Sequence, residues 1–186
     1  MEERVNASAA PGELEIVRAF VNTLDIEAGT DELANPAEAS AWLGEHGRRV
    51  RVTKGDLREL IELREALRDL VSERGTPAER RAAAAVDRIA ARHPLSLRLS
   101  GGDENPLAPS AGGVGGFLGR VLGIVVAAII DGSWDRMKAC RNDGCRWLFF
   151  DHSRNRSRAW CTMDLCGSQA KMRAYRGRRR AAIGLR

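Results

Sequence analysis

Every cysteine in this chain lies between residues 140 and 166: Cys140, Cys145, Cys161 and Cys166. They fall into two pairs, each enclosing four residues, with 15 residues between the pairs. A tetrahedral cation such as zinc takes four ligands, and two thiolate pairs on tight turns supply them with little chain strain. The segment "RNDG" inside the first pair is turn chemistry, because Asn142, Asp143 and Gly144 tolerate tight or left-handed backbone. Two disulfides are the alternative use of four thiols. The first twelve residues, "MEERVNASAAPG", lack the basic start and apolar run of a secretory leader, so the cytosol is the expected compartment. Thiols there stay reduced. A catalytic zinc keeps one position open, whereas four thiolates close the shell, so Cys140, Cys145, Cys161 and Cys166 are expected to hold a structural Zn2+. A segment this small and charged has little core without its metal, which makes binding part of folding.

The order of elements around the cysteines follows from local chemistry. "RWLFF" (146–150) reads as a strand leaving the first turn, "DHSRNRS" as a polar reversal, and "RAW" as a return strand reaching Cys161. "GSQAKMRAYRGRRRAA" after Cys166 suits a helix. Knuckle, hairpin and helix in that order make a treble-clef zinc finger. From Arg136 onward there are 14 Lys/Arg and 3 Asp/Glu, whereas residues 1–135 hold 16 basic and 22 acidic residues. A mildly acidic body thus carries a strongly basic end, which points to nucleic acid as partner and to an anionic membrane surface second. Arg154, Arg156 and Arg158 in the reversal and Lys171, Arg173, Arg176, Arg178, Arg179 and Arg180 beyond Cys166 are the candidate nucleic-acid contacts. Gln169 and Arg173 are the candidates for reading base edges in a major groove.

The body is expected to be mostly helical with a small sheet, an α+β chain divided into domains 13–133 and 136–182 near "DGSWDR". Leu14, Val17, Val21 and Leu24 recur at helical spacing within 13–28, with Phe20 beside them. A short, broken helical segment follows at "NPAEASAWLGEHG". Thr53 with Asp56 forms a capping box, and Thr76, Pro77 and Glu79 start another helix. "LSLRL" (95–99) alternates like a strand, and 100–116 is a Gly/Pro-rich loop lacking the Gly-Lys-Ser/Thr ending of a P-loop. Val114–Ile130 is apolar but short for a bilayer span, which takes ~20 residues, and it contains Arg120. A core helix over 117–130 is expected, with no membrane partner. Arg64 falls on an apolar stripe and needs a carboxylate or a bound anion nearby, and Asp25 is the expected internal partner. Asn22, Asp25 and Arg64 are the candidate small-molecule site, against a simple ion pair between packed helices. No catalytic cluster of nucleophile and base is present in the sequence, so the chain is not expected to be an enzyme.

Residues 140–180 also resemble the CGNR zinc finger that ends bacterial proteins proposed to regulate transcription. The likeness rests on the paired cysteines, the Trp-Leu-Phe strand, "SRNRSR", the Trp before Cys161, and Ala170-Lys171 leading a basic helix. The naming tetrad departs, since Ser168 and Gln169 follow Cys166-Gly167. "FVNTLD" (20–25) and "LRELIELREALRDL" (57–70) resemble the ABATE domain that accompanies this finger. The resemblance implies a compact N-terminal domain sensing a small molecule or stress and a DNA-binding finger. A homodimer is expected, because small DNA-binding modules use paired half-sites. An RNA-binding or ribosome-associated protein is the second reading. An enzyme with its site in residues 13–130 is the third.

Overall fold

The computed structural model describes residues 9–97 and 106–184, with side chains through Arg179. Helix α1 (Leu14–Val21) places Leu14, Val17, Phe20 and Val21 inward, as its spacing predicts. It stops before Leu24, because the Thr23 hydroxyl turns back to donate to the Phe20 carbonyl (2.9 Å). Leu24 instead belongs to β1 (Leu24–Asp25), paired antiparallel with β2 (Thr30–Asp31). The Asp25 carboxylate accepts from the backbone N–H groups of Glu27 and Ala28 (both 3.0 Å), closing the turn between the two strands.

The remaining helices begin where their caps direct. Asn35 accepts from Ala37 and Glu38 to start α2 (Pro36–Glu45), a continuous ten-residue helix in place of the broken segment expected there. The Thr53/Asp56 capping box is complete and opens α3 (Lys54–Ser72). Thr76 accepts from the Ala78 N–H to start α4 (Pro77–Ala90), while Glu79 reaches back to the Gly75 N–H at 2.7 Å. The aromatic rings of Phe20, Trp42 and Phe117 meet at 5.3–6.0 Å between centroids, joining α1 and α2 to the apolar helix α5 (Gly113–Ile130). Around them Val17, Leu60, Leu63, Leu67, Leu118 and Val121 are fully buried.

β3 (Leu95–Leu97) pairs antiparallel with β4 (Leu107–Pro109), a strand inside the stretch that reads as loop in the sequence. Residues 98–105, including the end of the expected 95–99 strand, lie outside the described residues. Two glycines in the first turns of α5 have a packing role. A Cβ on Gly116 would stand 2.6 Å from the Ala111 carbonyl oxygen, and one on Gly119 2.9 Å from the Pro109 Cβ. Their bareness lets β4 and the turn after it lie against the helix, which starts four residues earlier than expected. By length and composition α5 could cross a membrane, yet 61% of it is buried within the protein. Arg120, on its flank, pairs with Glu13 at 2.6 Å.

A 3₁₀ turn (Ser133–Arg136) leads into β5 (Met137–Ala139), which pairs with β6 (Leu148–Phe150), Met137 opposite Phe150 and Ala139 opposite Leu148. Met137, Leu148 and Phe150 share one core with α1, α3 and α5, so apolar packing continues straight through residues 131–136. Asn22 completes the junction by donating to the Leu148 carbonyl (2.9 Å) and accepting from its N–H (2.8 Å).

An added methyl has opposite signs at two of the helical glycines. Gly116→Ala should destabilise by about 1–3 kcal/mol in urea unfolding, since the carbonyl it meets cannot move aside. Gly44→Ala, in α2 with no atom within 4 Å of the added methyl, should stabilise by about 0.5 kcal/mol. Equal effects at the two positions would refute the close-approach role of Gly116.

Candidate metal centre and basic surface

The first cysteine pair sits on a knuckle between β5 and β6. The Cys140 N–H donates to the Trp147 carbonyl (2.9 Å), and the Cys145 and Arg146 N–H groups both donate to the Asn142 carbonyl (2.7 and 3.0 Å). The left-handed residue of the turn is Arg146 (φ 49°), not one of Asn142, Asp143 or Gly144. A side chain there costs about 1–2 kcal/mol. Contacts from the body hold it: its guanidinium donates to the Asp69 carboxylate (2.7 Å) and the Ser72 hydroxyl (3.0 Å) of α3. Of the second pair, Cys161 precedes and Cys166 lies within one π-helical turn (Met163–Gly167), opened by Thr162, which runs directly into helix α6 (Ser168–Gly184).

All four cysteines are buried, and their Sγ atoms lie within 4.8 Å of one another. Cys145–Cys161 and Cys161–Cys166 are 3.7 Å apart. None of the four is in a disulfide, which would bring two sulfurs to about 2 Å. A tetrahedron with Zn–S bonds of about 2.3 Å has edges of about 3.8 Å. Four sulfurs at this spacing enclose the volume of one zinc ion. As bare thiols, Cys140 and Cys145 resist ionisation. For Cys140 a bond with Cys145 acts downward, but the bond with Cys161 and burial push the thiol up to about 12. Bonds with Cys140 and Cys161, with burial, raise Cys145 as well. Thiolates crowded this closely need a cation among them, and the donor set is that of a closed structural zinc site. Asn142 supports it from outside, its amide donating toward Cys166 Sγ at 3.5 Å.

The second half of the finger departs from the expected hairpin. The return strand at 158–160 is absent, and the partner of β6 is β5, upstream of the knuckle. Asp151 is the cause. Its fully buried carboxylate accepts from the Lys138 ammonium (2.7 Å) and from the N–H groups of Ser153 and Arg158 (both 2.9 Å), folding the chain into a capped loop. Burial alone would raise this carboxyl, yet the bonds from Lys138, Ser153 and Arg158 outweigh it and hold it far below the usual range.

The predicted cationic residues divide into two groups. Arg158 is turned inward: its guanidinium donates to the carbonyls of Trp160 (2.9 Å) and Cys161 and lies over the Phe149 ring at 4.9 Å. It packs the finger and is not displayed. Arg173 donates to Asn142 Oδ1 at 3.2 Å. Gln169 bridges the knuckle to the body, accepting from Asn142 (3.1 Å) and donating to Glu27 (3.2 Å). Arg154, Arg156, Lys171, Arg176, Arg178 and Arg179 are exposed. Arg180 lies outside the described side chains. Arg136, absent from the sequence-based set, proves structural, donating to the Asp151 and Ser153 carbonyls (2.9 and 3.2 Å).

The three residues of the expected small-molecule site each make contacts within the fold. Arg64 pairs with Asp31 (2.5 Å) and Glu65 (2.7 Å), with Thr23 at 3.2 Å. The β1–β2 turn brings Asp31 over α3 as an acid partner of Arg64, and the Asp25 carboxylate caps that turn. Asn22 is occupied by Leu148.

Comparison with known protein families matches residues 15–131 to ABATE, described as "Putative stress-induced transcription regulator", and residues 136–179 to the CGNR zinc finger. A search of curated proteins finds no match.

Native mass spectrometry should show one zinc per chain, and both Cys145→Ser and a strong chelator should remove it and lower the melting temperature by more than 10 °C; full stability without metal would refute the structural role. Asp151→Asn should cost about 3 kcal/mol at pH 7. The depressed carboxyl stabilises the fold above its unfolded value near pH 4 and loses that contribution as pH falls towards its folded value. The gap between wild type and Asp151→Asn in denaturant titrations should hence narrow below about pH 4; a gap constant to lower pH would refute the assignment.

Proposed function

Because the chain belongs to the ABATE family, we propose that it is a zinc-dependent, DNA-binding transcription regulator whose N-terminal domain, near residues 13–133, receives a small-molecule or stress signal. The finger, near residues 136–182, is the DNA-binding part. A cytoplasmic protein acting as a homodimer on paired half-sites fits this reading, and binding rather than catalysis is its task.

The observation that carries the reading is the separation of the cations. Structural arginines are paired with carbonyls and carboxylates inside the fold. Arg154, Arg156, Lys171, Arg176, Arg178 and Arg179 are left exposed on a scaffold anchored at the cysteines. Asp143, Asp151 and Asp164 are the only acids after residue 136, and Asp151 is engaged by Lys138. A one-signed surface of this kind is the footprint of a polyanion partner. Tyr175, 53% exposed on α6, also offers a face on which an unpaired base could stack, the feature that favours RNA as the second reading. Trp147 is buried and Trp160 packs against the cysteine cluster, so neither is available for that role.

Salt dependence supplies the test. Six phosphate contacts give a slope of about −5 for log K against log salt on duplex DNA. Arg178→Ala with Arg179→Ala should reduce its magnitude by about 2 while leaving zinc content unchanged. Competition between duplex DNA and structured RNA separates the two readings. A slope unaffected by the double substitution would show that α6 is not the interface. Point variants are preferable to deleting residues 136–186, since that deletion would strip Met137, Leu148 and Phe150 from the core.

A further inference from the structure

We propose that the cleft between α3, α4, β3 and α5 binds an apolar small molecule carrying a cationic or hydrogen-bond-donating end. The cavity measures about 480 Å³, within the range of about 300–1,000 Å³ usual for ligand pockets. Helix α4 turns Ala83, Val86 and Ala90 toward it at a spacing of three and four residues. The two alanines hollow out one wall. Leu95, Leu122 and Val125 close the others, and Leu70 lies at the α3 side.

Polar groups are few and placed at one edge. His93 is held in position by Glu59 (3.2 Å), which Arg92 also grips at 2.7 Å. The exposed Asp87 carboxylate stands on the rim with no ion pair among the described residues, which selects a donor or a cation at one end of the ligand. Aliphatic walls of this extent gain about 25 cal/mol for each Å² removed from water, so an apolar body is the chemistry that fills them.

The location suits an effector. Leu70 lies on α3 between Asp69 and Ser72, the two residues that hold Arg146 beside Cys145. Two residues beyond Ser72, Arg74 grips the carbonyls of Trp134 (2.7 Å) and Met137 (2.9 Å), the entry to the finger. A ligand wedged between α3 and α5 thus bears on both attachments of the knuckle. This role as effector site rests on the regulatory reading above, whereas the binding itself involves no nucleic acid.

The experiment is a fluorescence titration of the zinc-loaded full chain with N-phenyl-1-naphthylamine, an apolar dye bearing one N–H donor. Saturable, blue-shifted binding of one dye per chain is expected. Ala83→Leu and Ala90→Leu, each checked for an intact melting transition, should weaken it at least tenfold, and Ile130→Ser, on the exposed surface beyond the cleft, should change it less than twofold. Absence of saturable binding, or binding untouched by whichever leucine variant folds, overturns the proposal. Sedimentation velocity guards against the other occupant: a dimer broken by Ile130→Ser that excludes the dye would assign the cleft to a second copy and overturn it equally. Failure here leaves the DNA reading intact, and loss of the salt slope leaves the dye result intact.

Discussion

Four sulfurs within 4.8 Å of one another constitute the constraint on which the carboxy-terminal finger depends. The finger's own apolar cluster is small: apart from the cysteines it consists of Trp147, Phe149 and the partly buried Trp160. At about 1.5–3 kcal/mol for each fully buried apolar side chain, such a cluster falls far short of the entropy of ordering some thirty residues. Metal coordination, with apparent free energies of about 10–16 kcal/mol in small zinc modules, is of the size required. It joins a turn that precedes β6 to a turn that begins α6, two segments with no other strong reason to meet.

The finger is nevertheless not free of the body, and the attachment is mainly polar. Short strands and irregular turns around residues 134–161 expose carbonyls that no ladder satisfies, and buried carbonyls must find donors. Arginine answers this repeatedly. Arg74 serves Trp134, Asp135 and Met137; Arg68, itself fully buried, serves Val21 at 2.7 Å and reaches the Arg146 carbonyl at 3.5 Å; Arg136 serves Asp151 and Ser153. A planar fork with five donors suits this work where a lysine would not. Burial depresses the Arg68 guanidinium, while the neighbouring Glu65 favours its charged form. The basic excess of this chain therefore has two meanings, one internal and one directed outward.

That double use sets the limit on what the sequence discloses. The caps at Thr53 and Thr76 are legible because they act within four residues of their partners. The four cysteines are legible because two equal pairs in so short a segment match the demands of a tetrahedral metal. Arg158 is not: nothing local separates it from Arg154 and Arg156, and its inward turn depends on Phe149 and on Asp151 folding the loop. Asp31 as a partner of Arg64 escapes the sequence for a related reason. Asp25 and Asp31 lie on adjacent short strands, and only the closed turn brings Asp31 over α3. The strand at 107–109 is hidden by its proline and the glycines after it, which are there so that it can pack on α5. Long-range pairing, rather than weak local signals, accounts for each of these differences.

Helix α6 carries the outward-facing part of the basic excess. Among its described side chains, residues 171–179 are all exposed, so almost no burial supports it. Arg173 and Arg176, and Arg176 and Arg179, stand three apart, a spacing at which like charges repel and weaken a helix. Lys171 and Arg173 lie in its first turns, where the helix dipole favours anions over cations. What favours the helix is its start, because the π-helical turn containing Cys166 fixes the first residues and removes much of the nucleation cost. A polyanion laid along this surface would cancel the repulsion and the dipole mismatch together. The metal site thus prepares one end of a helix whose remaining length has little burial to support it.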